Sequence, residues 1–137
     1  MTVEEKVIAS VRRILLSDSA ITALVSTSIY ASHISSINKP VYPAISIHLL
    51  SSNPSYDAIG YVDVDLQIDA WFPSQQYDMT HLMNLKDALR NDLQRALISD
   101  KSIPVVGFGY EIKTGSVQVE EDTRLLHLPV IYTFTAM

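Results

Sequence analysis

The stretch YVDVDLQIDAW, Tyr61 to Trp71, alternates without a break: Val62, Val64, Leu66, Ile68 and Ala70 stand at even positions, and Asp63, Asp65, Gln67 and Asp69 at odd ones. Successive side chains of a strand point to opposite sides, so this period of two predicts an antiparallel strand packed on one face only. The apolar side belongs to a core. The polar side, which includes Trp71 by parity, is expected to be a wet or interfacial face. Pro73 removes a ladder donor and ends the run.

The segments around this strand change period. Val3, Val7, Ile8, Val11, Ile14 and Leu15 recur at helical spacing, with Glu4 and Glu5 in the first turn and Arg12 and Arg13 near the end, where each sign suits the helix dipole. A short second helix follows, carrying Ile21, Leu24 and Val25 behind a Ser17 or Asp18 cap. Tyr30 to Pro43 reads as a loop. Pro40 and Pro43 keep the chain extended, so AISIHLL from Ala44 is predicted as a strand, with Ile45, Ile47 and Leu49 on one face and Ser46 and His48 on the other. SSNPSYD, Ser51 to Asp57, has turn chemistry. Beyond Pro73, Asp78 can cap a long helix striped by Met79, Leu82, Met83, Leu89, Leu93 and Leu97.

The last third returns to period two. Val106, Phe108, Tyr110 and Ile112 alternate with Gly107, Gly109 and Glu111, a bend is expected over Lys113 to Gly115, and Leu126, Leu128, Val130, Tyr132 and Phe134 share one side of a final strand. Pro129 is tolerable there at a bulge or an edge. Helix, helix, strands, helix, strands is the order of an α+β fold, an antiparallel β-sheet with α-helices packed on one face. The 137 residues suit a single domain, 1–137, large enough to bury a core without disulfides or metal.

Charge narrows the function classes. Charged residues make up 18% of the chain, against roughly 25% in an average soluble domain, which is the composition of a surface covered by partners. A net charge of −5 with scattered Lys and Arg argues against phosphate-backbone binding, which depends on clustered cations. The absence of cysteine removes disulfides and thiolate metal sites. The first residues, MTVEEKVIAS, carry acids where a signal peptide carries basic residues, and no apolar run reaches the roughly 18 residues of a membrane span, so a soluble chain without a membrane partner is expected.

Chemistry finds few anchors. Several carboxylates suit a hard cation such as Ca²⁺ or Mg²⁺. Alternate residues of a strand, however, lie roughly 6.5 to 7 Å apart, too far for a compact shell, and no EF-hand loop is present. His33, His48, His81 and His127 include no helical i, i+4 pair of the zinc-protease kind. His48 and His127 can share the outer face if their strands pair, yet two imidazoles without a fixed carboxylate make a poor site. No G-x-S-x-G elbow occurs, and four glycines do not make a phosphate cradle. Met79 and Met83 lie on a leucine stripe and read as packing. Trp71, at the end of its strand, is the best single candidate for a buried contact with another subunit. No catalytic, cofactor or metal residues are expected.

LLSDSAITALVS, KPVYPAISI, VDVDLQIDAWFPS and VQVEEDTRLLHLPVIYTF, in this order and spacing, resemble the tail-terminator or tail-completion proteins of long-tailed bacteriophages and prophage particles. The resemblance runs nearly end to end; the loop from Ala31 to Tyr42 is longer than in some relatives. It implies a non-enzymatic subunit that forms a ring, usually of six, on the head-proximal end of the tail tube. Such a ring stops tube growth and presents the docking surface for the head connector, in the neck of the virion, after assembly in the host cytoplasm. Its implied partners are itself, the tube protein and the connector, with DNA passing through the lumen without specific binding and no cofactor. The interface or lumen candidates are Asp63, Asp65, Gln67, Asp69, Trp71, His48 and His127. The neighbouring alternative is a head-side completion or connector protein, and the alternative of another class is a small acidic metal-dependent hydrolase.

Overall fold

The computed structural model describes residues 2–56, 59–94, 97–100, 103–115, 117–120 and 123–137; the side chains of 97–100, 103–110 and 112–114 lie outside the description. The chain runs α1 (Val3–Leu16), α2 (Ser19–Val25), β1 (Ile29–Tyr30), a 3₁₀ turn (Ile34–Ser36), β2 (Ala44–Pro54), β3 (Val62–Pro73), α3 (Met79–Leu93), β4 (Leu97–Asp100), β5 (Ile103–Thr114), β6 (Gln118–Glu120) and β7 (Leu125–Ala136). This is the α+β arrangement read from the period changes.

Each helix starts where local chemistry says it should. Thr2 and Glu5 form a reciprocal capping box on α1, Asp18 caps α2 through the Ala20 N–H, and Asp78 caps α3 through the Thr80 and His81 N–H groups. The His81 Nδ1 lies 2.9 Å from the Asp78 carboxylate, which holds Asp78 below its ordinary pKa, so His81 belongs to the cap.

The seven strands form one sheet in the order β1-β2-β3-β7-β5-β4, with β6 also paired to β7. All pairings are antiparallel except the two-residue β1, which runs parallel to β2. Val64, Leu66, Ile68, Ala70 and Phe72 of β3 and Leu128, Val130, Tyr132 and Phe134 of β7 are buried in one core with Val7, Val11 and Leu15 of α1, Ile21 and Val25 of α2, and Leu82, Leu85, Leu89 and Leu93 of α3. All three helices therefore share one face, the inner face, as the alternation requires. Among the described residues no helix is long and apolar enough to cross a membrane.

Several boundaries differ from the sequence reading. β2 continues through Ser51, Ser52, Asn53 and Pro54, where a turn is expected, because its register with β3 resumes beyond an irregularity between Leu49 and Ser51. Leu49 keeps the register of Ile45 and Ile47, opposite Leu66 and on their face, but is exposed where they are buried. The expected loop from Tyr30 contains β1 and the 3₁₀ turn. Helix α3 stops at Leu93, Leu97 lies in β4, and Met79 is exposed at the first turn.

The bend expected at Lys113 begins later, since β5 reaches Thr114; the facing of Val106, Phe108, Tyr110 and Ile112 lies outside the described residues. Pro129 is at neither a bulge nor a sheet edge. It sits where the partner of β7 changes: β5 pairs as far as Val130 and β6 begins at His127. A missing N–H is tolerated at such a gap.

Part of the β2 main-chain edge is open. β1 covers β2 only at Ile45 and Ser46, so from Ile47 to Pro54 the side of β2 away from β3 has no strand beside it among the described residues.

Candidate functional site

The outer face, opposite the helices, is built by register. Asp69 of β3 stands between Ser46 of β2 and Pro129 of β7, Gln67 stands beside His48, and Trp71 stands beside His127. Both histidines are therefore diagonal neighbours of Asp69, within reach of its carboxylate. His127 Nε2 is 2.6 Å from Asp69 Oδ1, the Gln67 amide donates to the same oxygen at 2.8 Å, and His48 Nδ1 lies 3.5 Å from Oδ2. Trp71 stacks flat on His127 and donates its indole N–H to Ser46 Oγ at 3.0 Å. The far nitrogen of His127, Nδ1, is 3.8 Å from Glu120 of β6.

These contacts overturn two expectations. The first is the uniformly wet face: Asp69 is only 2% exposed, closed over by its own neighbours. Parity assigns the side of the sheet correctly but cannot reveal what long aromatic and imidazole side chains do above it. The second is the want of a fixed carboxylate between His48 and His127, because Asp69 is that carboxylate. Ser46 and Glu120 complete the cluster without having been singled out in the sequence; Ser46 shares the parity of His48, and Glu120 gives no local signal.

Asp63 and Asp65 behave differently. Asp63 accepts from Thr135 Oγ1 at 2.7 Å and Asp65 from Ser51 Oγ at 2.9 Å. Both line a cavity of about 550 Å³ at the turn end of the β2–β3 hairpin, with Asn53, Ser55, Tyr56 and Thr133. At its tip Tyr56 and Ile59 are fully exposed.

The cluster is poorly suited to catalysis. Both nitrogens of His127 face carboxylates, so neither is poised to take a proton from a substrate. The Ser46 hydroxyl is occupied by the indole, which leaves it unlike an activated nucleophile. An ion between Asp69 and His127 needs about 2 Å to each ligand atom, and 2.6 Å between those atoms leaves no room. Among the described residues no three His, Asp or Glu side chains converge on a metal position.

A second polar group lies on the inner side. Asp92 of α3 meets Asp18, the cap of α2; burial, then its hydrogen bond to Asp18, pushes its pKa up to about 7, while the same bond lowers Asp18. The Tyr132 hydroxyl is fully buried nearby with no hydrogen-bond partner, and burial drives its pKa upward. Neither residue is a candidate in the sequence, because their contacts join elements far apart in the chain.

No protein-family model matches the sequence, and no curated protein does. The fold matches a virion chain. A chain in the solved structure described as "Virion of native gene transfer agent (GTA) particle" aligns with a TM-score of 0.70 at 14% identity, over 94% of this chain and 92% of that one. Coverage of this extent on both sides means that the whole α+β arrangement is shared.

Proposed function

We propose that the protein is a structural subunit of a phage or prophage particle, acting as a tail terminator. The observation that carries this reading is the end-to-end match to a virion chain, 94% of one and 92% of the other. The outer face agrees with it. Its ionisable groups are tied to one another or to hydroxyls, an arrangement suited to shaping a surface.

In this reading copies associate head to tail into a ring, probed first as a hexamer. A tube of stacked rings can add subunits indefinitely, so a stop requires a ring that matches the tube on one face only. Six copies at −5 each give a strongly acidic ring, whose lumen repels passing DNA. Asp63 and Asp65 at the hairpin cavity and the half-buried Trp71 are the candidates for lumen or subunit contact; Asp69 is enclosed within the single chain. The other partners are the tube protein and the head connector, in the neck of the particle.

The test is to add the protein to polymerising tube subunits and measure tube lengths by electron microscopy. A terminator narrows the length distribution and caps one end. Unchanged tubes, together with binding to the portal or finished heads, would transfer the protein to the head side of the joint. In the same assay the double substitution Asp63→Asn, Asp65→Asn is expected to keep the monomer folded, since Asn still accepts from Thr135 and Ser51, and to alter capping or DNA passage.

A further inference from the structure

The loop between β1 and β2 touches the outer face through a histidine that the Asp69 cluster does not use. His33 caps the 3₁₀ turn: its Nδ1 accepts from the Ser35 N–H at 3.2 Å and lies 2.8 Å from Ser35 Oγ. Its ring lies 4.8 Å from the ring of His48, centre to centre, at an interplanar angle of 52°. At the loop's other end the Val41 N–H donates to the Tyr30 hydroxyl.

We propose that this imidazole pair is a proton-released latch, which holds the loop from Ala31 to Tyr42 on the sheet while both rings are neutral and frees it when both are charged. This is independent of the assembly reading. His33 can accept from the Ser35 N–H only while Nδ1 carries no proton, so charging His33 removes that cap contact. Charging both rings sets two cations against each other across 4.8 Å.

The surroundings decide which partner each ring keeps. His48 faces Asp69 of β3, and beyond it His127 of β7, which shares that carboxylate and is backed by Glu120 of β6. Asp65, one step along β3, is bonded to Ser51. The loop contributes Lys39 and no carboxylate. Burial favours the neutral form of His48 and lowers its pKa; Asp69 acts the other way, and His33 and His127 add to the lowering. A charged His48 is thus drawn to Asp69 and away from His33, while a charged His33 has no acid in its own loop to hold it. Acid loosens the loop and leaves the Asp69 cluster closed.

Hydrogen exchange tests the latch through the bonded amides of Ser35 and Val41. Between pH 7.5 and about 4.5, a range extended downward because burial depresses His48, their protection factors are expected to fall about tenfold in the wild type. His48→Phe, which keeps a ring contact and removes one of the two charges, is expected to hold the protection of the Val41 amide at both pH values, while the Ser35 amide still loses its acceptor when His33 is charged. Equal Val41 protection at both pH values in the wild type, or a His48→Phe variant whose Val41 amide is as acid-sensitive as the wild type's, would overturn the proposal. Should that variant not fold, ring NMR of the wild type decides. Loss of protection must track the titration of His33 and His48, and loss that tracks global unfolding sinks the latch.

Discussion

The indole of Trp71 lies parallel to the imidazole of His127, with ring centres 3.9 Å apart and an interplanar angle of 1°, and together they close one side of the pocket that holds Asp69. Trp71→Ala removes the stack, the bond to Ser46 and the cover over a buried carboxylate. Full truncation of a buried tryptophan costs about 3–5 kcal/mol, and Trp71 is half-buried, so a loss of about 2–3 kcal/mol in urea unfolding is expected. A loss under about 0.5 kcal/mol, the range of an ordinary surface substitution, would show that the stack holds nothing in place. Trp71 is the chain's single tryptophan, so its fluorescence is also a direct reporter on His127. Its emission should differ between the wild type and His127→Phe.

Asp92 gives a pH dependence of stability with a definite sign. Its folded pKa of about 7 stands above the ordinary value of 3.8, so between these limits the native state binds more protons than the unfolded chain, and stability falls as pH rises. Asp18 shifts downward through the same hydrogen bond and offsets part of the effect, so the two titrate as a unit. Asp92→Asn, which keeps a donor for Asp18, should raise the melting temperature most at pH 8, less at pH 5, and hardly at all at a pH below the ordinary value of 3.8. An equal shift at all three would exclude the carboxyl pair as the cause.

Gly115 is required for space. A Cβ at that position would lie 2.6 Å from Pro129 Cγ, and the Gly115 N–H donates to the Pro129 carbonyl at 2.8 Å, so backbone and ring are held together. Gly115→Ala is expected to cost about 1–3 kcal/mol, the usual range for overpacking. Adding Pro129→Ala should recover part of that loss in a double-mutant cycle; strict additivity would mean that the two residues do not collide.

The hydroxyl of Tyr132 is buried without a hydrogen-bond partner, which is unfavourable for a polar group. Tyr132→Phe keeps the ring in the core and should leave stability unchanged or raise it by up to about 1 kcal/mol. A clear destabilisation would point to an ordered water bound to the hydroxyl.

The sequence is most legible where one strand has one wet side and one dry side. The parity of Val62 to Phe72 and of Leu126 to Phe134 names the core residues of β3 and β7, and the caps at Asp18 and Asp78 start their helices where expected. Ends of elements are less legible, because β2 overrides the turn chemistry of Ser51 to Pro54 through pairing with β3, a contact that local propensity does not contain. The outer cluster is half legible. Parity selects its members, but the burial of Asp69 depends on three strands arriving in one register, and Glu120 enters from a fourth. The meeting of Asp18 with Asp92 leaves no trace in either segment's own pattern.

The uncovered margin of β2, Ile47 to Pro54, bears no lysine or arginine, and Leu49 and Leu50 are exposed along it. Hydrogen-bonding groups left in line along such a margin accept any extended peptide that presents a matching row, whether a proper neighbour or a stray copy. At high concentration that margin would therefore favour insoluble polymer of the chain with itself.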